Sequence, residues 1–194
     1  LKNENMVKLP VIIQNNSKIE GVIGNALHLR RILELKAREC EKNYGTPYIR
    51  PIVLFQAQPK SGEEATTFEK LKQLLIKAGC KEEEIAIKTA DINELKNVNL
   101  TSNRCKIRYI ITVNALKEGW DCPYAYILAS IANKSSTVDV EQLIGRVLRQ
   151  PNARKYTNQE LNVSYVLTCS NDFEGTAKSV IAGLNGAGFS KDDY

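Results

Sequence analysis

Gln142, Arg146 and Arg149 recur at three- and four-residue steps in the stretch EQLIGRVLRQP, residues 141–151. On an α-helix such steps return to one face, so three long hydrogen-bonding side chains would project together over about two turns, roughly 10 Å of axis. So placed, they could grip one ligand. Leu143, Ile144, Val147 and Leu148 form a separate apolar stripe that would face a core. Gly145 lies mid-helix, where glycine costs about 1 kcal/mol relative to alanine, which suggests close approach of another backbone or a phosphate. Pro151 ends the helix. A surface helix with two solvated arginines would carry the same residues, so the neighbouring segments have to decide.

Two loops compete for attention beside it. In NALKEGWDCP, residues 114–123, Gly119, Trp120, Asp121, Cys122 and Pro123 set a flexible residue, an aromatic, a carboxylate and a rigid turn in succession before an apolar run. The same residues also read as a tight connection in which Asp121 accepts turn hydrogen bonds and Trp120 fills a gap. FQAQP, residues 55–59, closes another apolar run with two glutamines, Gln56 and Gln58.

These segments need elements to hold them. Ile19, Val22, Ile23, Ala26, Leu29, Leu33 and Ala37 repeat at helical intervals after Ser17 and Glu20, which have capping-box spacing, and predict a long helix ending before Gly45. A second helix is predicted from about Gly62, with Ala65, Phe68, Leu71, Leu74, Leu75 and Ala78 on one face and Gly79 as its stop. A third carries Phe173, Ala177, Val180, Ile181 and Leu184. PIVLFQAQP (51–59), IAIKT (85–89), IRYIITV (107–113), AYILASI (125–131) and VSYVLTC (163–169) read as strands. Strands that alternate with helices, several of them continuously apolar, imply an α/β domain with a mostly parallel sheet covered by helices on both faces. Ligands of such sheets gather beyond the carboxyl ends of the strands, where both loops would lie.

The 194-residue chain, 43% hydrophobic and 25% charged, is long enough to bury one α/β core. No apolar run approaches the roughly 20 residues that span a bilayer, and LKNENMVKLP has no signal-peptide core; a chain beginning with Leu1 reads as a piece of a longer protein. Five scattered cysteines, an odd number without C-x-x-C, argue against a disulfide framework and a zinc site and fit a reducing cytoplasm. The single histidine, His28, supports neither a His-based metal centre nor a Ser-His-Asp triad. Net charge reaches +5 over residues 1–60 and +4 over residues 101–160, which suits a polyanionic partner while excluding nothing. Arg104, Lys106 and Arg108 alternate at the start of a strand, opposite the ligand edge, and read as a solvated face.

Strand-FQAQP, strand-NALKEGWDCP and then EQLIGRVLRQP, in that order, resemble motifs IV, V and VI of superfamily 2 helicases, which occupy the second of two RecA-like domains. The chain looks most similar to the Res (restriction) subunit of type III restriction enzymes and the DEAD/DEAH-box helicases grouped with it, over roughly residues 50–185. The resemblance implies a helicase C-terminal RecA-like domain over residues 51–194, with residues 1–50 a connecting arm and helix packed on it. It makes Arg149 an arginine finger, a group that stabilises γ-phosphoryl charge and accelerates transfer by about 10³ to 10⁵ in known cases. Arg146 would bind the γ-phosphate or an interdomain carboxylate, and Gln142 a phosphate or the surroundings of the attacking water. Gly119 and Asp121, with Glu118 beside them and Gly145 in the helix, would lie on the nucleotide. Gln56, Gln58, Asn114 and Lys117 would touch the nucleic-acid backbone. Val113 stands where related helicases often have threonine, with Thr112 one residue away.

No G-x-x-x-x-G-K-[ST] and no acidic D-E-x-H-type motif occurs, so the resemblance implies that ATP binds against an upstream RecA-like domain that also holds Mg²⁺, and that this piece alone does not hydrolyse ATP. It further implies double-stranded DNA as substrate, a methyltransferase subunit as partner and no membrane. Two other readings stay open: a noncatalytic RecA-like module that docks DNA or a partner subunit, and a general DNA or RNA helicase unrelated to restriction.

Overall fold

The computed structural model describes residues 7–60, 65–113, 122–131, 149–170, 173–186 and 190. Among the described residues six strands form one sheet: β1 (Val11–Asn16), β2 (Ile52–Gln56), β3 (Ile85–Ile87), β4 (Tyr109–Thr112), β5 (Ala125–Ser130) and β6 (Ser164–Cys169), in the order β1-β6-β5-β2-β4-β3. Every pairing is parallel, so all six carboxyl ends meet along one edge. The residues of β2, β4, β5 and β6 are buried at every position rather than at alternate ones, which requires cover on both faces and explains their continuous apolar sequences.

Helix α1 (Ile19–Tyr44) buries Val22, Ile23, Ala26, Leu27, Leu33, Ala37 and Cys40 and lies against β1, β2, β5 and β6. It stops at Gly45, whose φ of 63° is the left-handed conformation that glycine adopts without a Cβ clash, and whose N–H reaches Glu41 O at 3.0 Å. Ser17 does not cap it. The cap position falls to Lys18, with no side-chain bond, and Asn16 Oδ1 accepts from Lys18 N at 3.0 Å instead. Helix α2 (Phe68–Lys77) also starts later than the apolar period predicts, because Thr67 caps it by accepting from Lys70 N, and Ala65 is buried in the chain before it. The expected stop at Gly79 stands, with φ at 94°. Helix α3 spans Phe173–Gly186.

The periodicity predicts no strand before residue 50, and the structure has one. β1 pairs with β6 from Val11↔Ser164 to Asn16↔Cys169, so the described part of residues 1–50 supplies an edge strand and α1 to the same core. At the other end of the sheet, β4 begins at Tyr109 rather than Ile107. Its approach is occupied: Lys106 pairs with Glu83 at 2.7 Å, Arg108 with Glu84 at 3.2 Å, and Arg50 takes the Ile107 carbonyl. These ion pairs engage Lys106 and Arg108, two of the three basic residues that alternate over 104–108.

Candidate functional site

The sheet order fixes where the candidate loops start. β2 lies between β5 and β4, so the chain entering residues 114–121 from β4 and the chain entering residues 132–148 from β5 leave the sheet two strand spacings apart, about 10 Å. Between them emerges the FQAQP loop. Gln142, Gly145, Arg146, Asn114, Lys117, Glu118, Gly119 and Asp121 lie outside the described residues; the stems that carry them do not.

Those stems are tied together by polar side chains at an otherwise apolar edge. Ser130 Oγ, at the end of β5, donates to Gln56 Oε1 at the end of β2 (2.8 Å). Gln58 Nε2 donates to Ile131 O (3.1 Å), while Gln58 Oε1 accepts from Thr66 N (2.7 Å). Gln58 N in turn donates to Thr66 O (2.9 Å), and Ala57 N to Thr112 O (2.8 Å). One glutamine therefore closes the loop after β2 on itself and on the stem after β5. Polar atoms this far inside stay only when bonded, so their pairing holds the three exits in a fixed relation. Gln56 is 3% exposed and Gln58 is half-buried. Sequence reading missed Ser130 and Thr66. A polar residue closing an apolar strand was the available signal.

Arg149, at the far end of the 132–148 segment, is exposed, and its backbone bridges Val7 in antiparallel fashion. Gln150 follows as a buried anchor whose Nε2 donates to Arg154 O (2.6 Å) and Asn162 Oδ1 (3.1 Å). At the β1–β6 end of the edge, Asn15 clamps the chain leaving β6, donating to Ser170 O (2.8 Å) and accepting from Thr168 Oγ1 (2.9 Å) and Ser170 N (3.0 Å). Burial pushes the Cys169 thiol up, and Glu20 adds to the shift, so the thiol at this edge stays protonated near neutrality and is a poor nucleophile. None of the five cysteines is in a disulfide.

The described side chains here offer amide, hydroxyl and guanidinium groups. Of these, the exposed Arg149 guanidinium suits phosphate oxygens, while the amides and hydroxyls are engaged in the hydrogen bonds given above. Among the described residues no group of three His, Cys, Asp or Glu could hold a metal ion, and no helix is long and apolar enough to cross a membrane.

Neither a protein-family model nor a curated protein matches the chain. Solved structures do. An ATP-dependent Type ISP restriction-modification enzyme, LlaBIII, bound to DNA aligns with 95% of this chain at 15% identity and a TM-score of 0.53; the chain spans 14% of that enzyme's length. Domain 2 of the DEAD-box helicase Mss116p, bound to an RNA duplex, aligns with 93% of this chain and 60% of its own at 13% identity and a TM-score of 0.48. A Dbp5 variant of S. cerevisiae bound to RNA and ADP BeF3 aligns with 94% of this chain and 41% of its own at 15% identity and a TM-score of 0.49. At such identities likeness bears on fold alone, and the match to the restriction enzyme carries it. The domain is an α/β RecA-like fold with a wholly parallel six-stranded sheet.

Proposed function

We propose that this chain is the second motor domain of a nucleic-acid-dependent ATPase, and that the motor is a DNA translocase of a type III restriction-like system. The observation that carries the reading is the sheet edge: the exits of β2, β4 and β5 are tied side by side, and an exposed arginine, Arg149, stands where the third segment returns. An ATP bound against an upstream RecA-like domain, which supplies the phosphate cradle and the Mg²⁺ ligands, faces this edge. Arg149 meets the charge that develops on the γ-phosphoryl oxygens, Arg146 and Gln142 hold phosphate or the attacking water, and Gly119 and Asp121, with Glu118 and Gly145, line the nucleotide side. Asn114 and Lys117 contact the sugar-phosphate backbone of double-stranded DNA. Gln56 and Gln58 contribute to that groove by shaping the loop between them. Restriction chemistry and a methyltransferase subunit belong to other parts of the assembly, in the cytoplasm.

The division of labour is testable without mutation. The purified 194-residue chain should show no ATP hydrolysis above buffer, with or without DNA, while the longer chain that includes the upstream domain should hydrolyse ATP faster with duplex DNA than without. Substantial hydrolysis by the 194-residue chain overturns the reading, and stimulation by RNA but not DNA overturns its restriction-like part.

A further inference from the structure

Arg149 can act on a phosphoryl group only if its backbone is held still, and the group that holds it lies 141 residues away. The Lys8 ammonium donates to the Arg149 carbonyl. Lys8 is 0% exposed, although lysine is among the residues least often buried, and its Nζ sits 4.5 Å above the ring of Tyr126 on β5. The neighbouring backbone is organised around the same point: Val7 bridges Arg149, and Ser164 Oγ donates to Lys8 O at 3.1 Å. Tyr126 is itself fixed, its hydroxyl donating to Leu161 O at 3.1 Å. A desolvated ammonium is expensive for a fold to keep, and a carbonyl plus an aromatic face repay part of that cost only in this geometry.

We infer that Lys8 is a positioning residue for Arg149. The segment before β1 clamps the backbone of Arg149, the end of the motif that also carries Gln142 and Arg146, onto β5, and so sets where the Arg149 guanidinium is presented. Misplacement of a reacting group by about 1 Å can cost on the order of 100-fold in rate, so a main-chain clamp of this kind matters even though Lys8 touches no ligand. The role of the clamp rests on the reading of Arg149 as the arginine that completes the ATP site.

The test uses the full-length chain with Lys8→Met, which keeps the buried volume and removes the charge and the donor, and Lys8→Gln, which keeps a shorter N–H donor. Two quantities are read in each: hydrogen exchange over residues 146–154, and the kcat and KM of DNA-stimulated ATP turnover in wild-type and Arg149→Ala backgrounds. Expected for Lys8→Met are exchange faster by about tenfold, a kcat lower by about tenfold or more with KM for ATP unchanged, and no further loss when Arg149 is already alanine. Lys8→Gln should fall between Lys8→Met and wild type, and it carries the test if the methionine variant does not fold. Unchanged exchange overturns the inference. So does an equal fractional loss of kcat in both backgrounds, which would mean general damage. Faster exchange together with an Arg149→Ala variant of normal kcat supports the clamp and sinks the arginine-finger reading instead.

Discussion

Replacing Arg50 with methionine should loosen the return from β3 to β4 more than any surface change in that region. Arg50 is 1% exposed, and its guanidinium is spent on three backbone carbonyls of the returning chain: Nε on Ile107 O (2.7 Å), Nη1 on Ser102 O (2.9 Å) and Nη2 on Leu100 O (2.5 Å). Residues 99–108 carry little regular structure, so these bonds stand in for a ladder. A net worth of about 1.5–3 kcal/mol for each hydrogen bond to a charged group gives an upper bound of roughly 5–9 kcal/mol. Two terms reduce it. Water can reach carbonyls that are only partly buried, and methionine removes the desolvation cost of a buried cation. The expected loss is about 3–5 kcal/mol, large against the roughly 5–15 kcal/mol stability of a typical domain. Thermal unfolding of the 194-residue chain should show a Tm lower by about 6–20 °C, and hydrogen exchange should accelerate first over residues 99–108. Arg50→Lys should recover only part, since an ammonium cannot reach three diverging carbonyls. A Tm within about 2 °C of wild type would refute the reasoning, because the carbonyls would then be satisfied without the guanidinium.

Two further perturbations follow from named contacts. Burial acts to raise the Glu34 carboxyl, but the hydrogen bond and charge of Arg30 (2.8 Å), the charge of Arg108 and the hydrogen bond of Tyr48 outweigh it and hold its pKa below the ordinary 4.5. A depressed carboxyl pKa stabilises the fold fully above the unfolded value and loses that contribution as pH falls through the folded one, so the stability difference between wild type and Glu34→Gln should shrink as pH drops from about 4.5 downward; a difference constant between pH 6 and pH 3 by denaturant titration would contradict the assignment. Gln58→Ala, which deletes the bonds to Ile131 O and Thr66 N, should cost about 1–2 kcal/mol and speed exchange over residues 57–67, and a cost under about 0.3 kcal/mol would show that water replaces both.

The five strands with contiguous apolar sequences were legible because a parallel strand covered on both faces needs no alternation, and PIVLFQAQP sits between two prolines. β1 was not, because VIIQNN turns polar halfway. At the sheet edge Ile12 and Gln14 are exposed, and Asn15 spends its amide on Thr168 and Ser170, partners more than 150 residues away that no local pattern displays. The start of α2 misled for a different reason: Ala65 is buried and in phase with the helix, yet it packs before the helix begins. At the site, the loops could be placed at one edge from the βα alternation, but the hydrogen bonds by which Gln56 and Gln58 tie that edge together run to Ser130, Ile131 and Thr66, partners that no local pattern displays. Lys8 gave no signal, since a lysine in a polar N-terminal stretch looks solvated until its partner across the chain is known.

The central claim is that Arg149 completes an ATP site shared with another domain. The most direct measurement is DNA-stimulated ATP turnover by the full-length chain, wild type against Arg149→Ala, with ATP affinity and thermal unfolding measured on both. The account predicts a kcat lower by about 10³-fold or more at nearly unchanged affinity and Tm. A kcat within about threefold of wild type would contradict it.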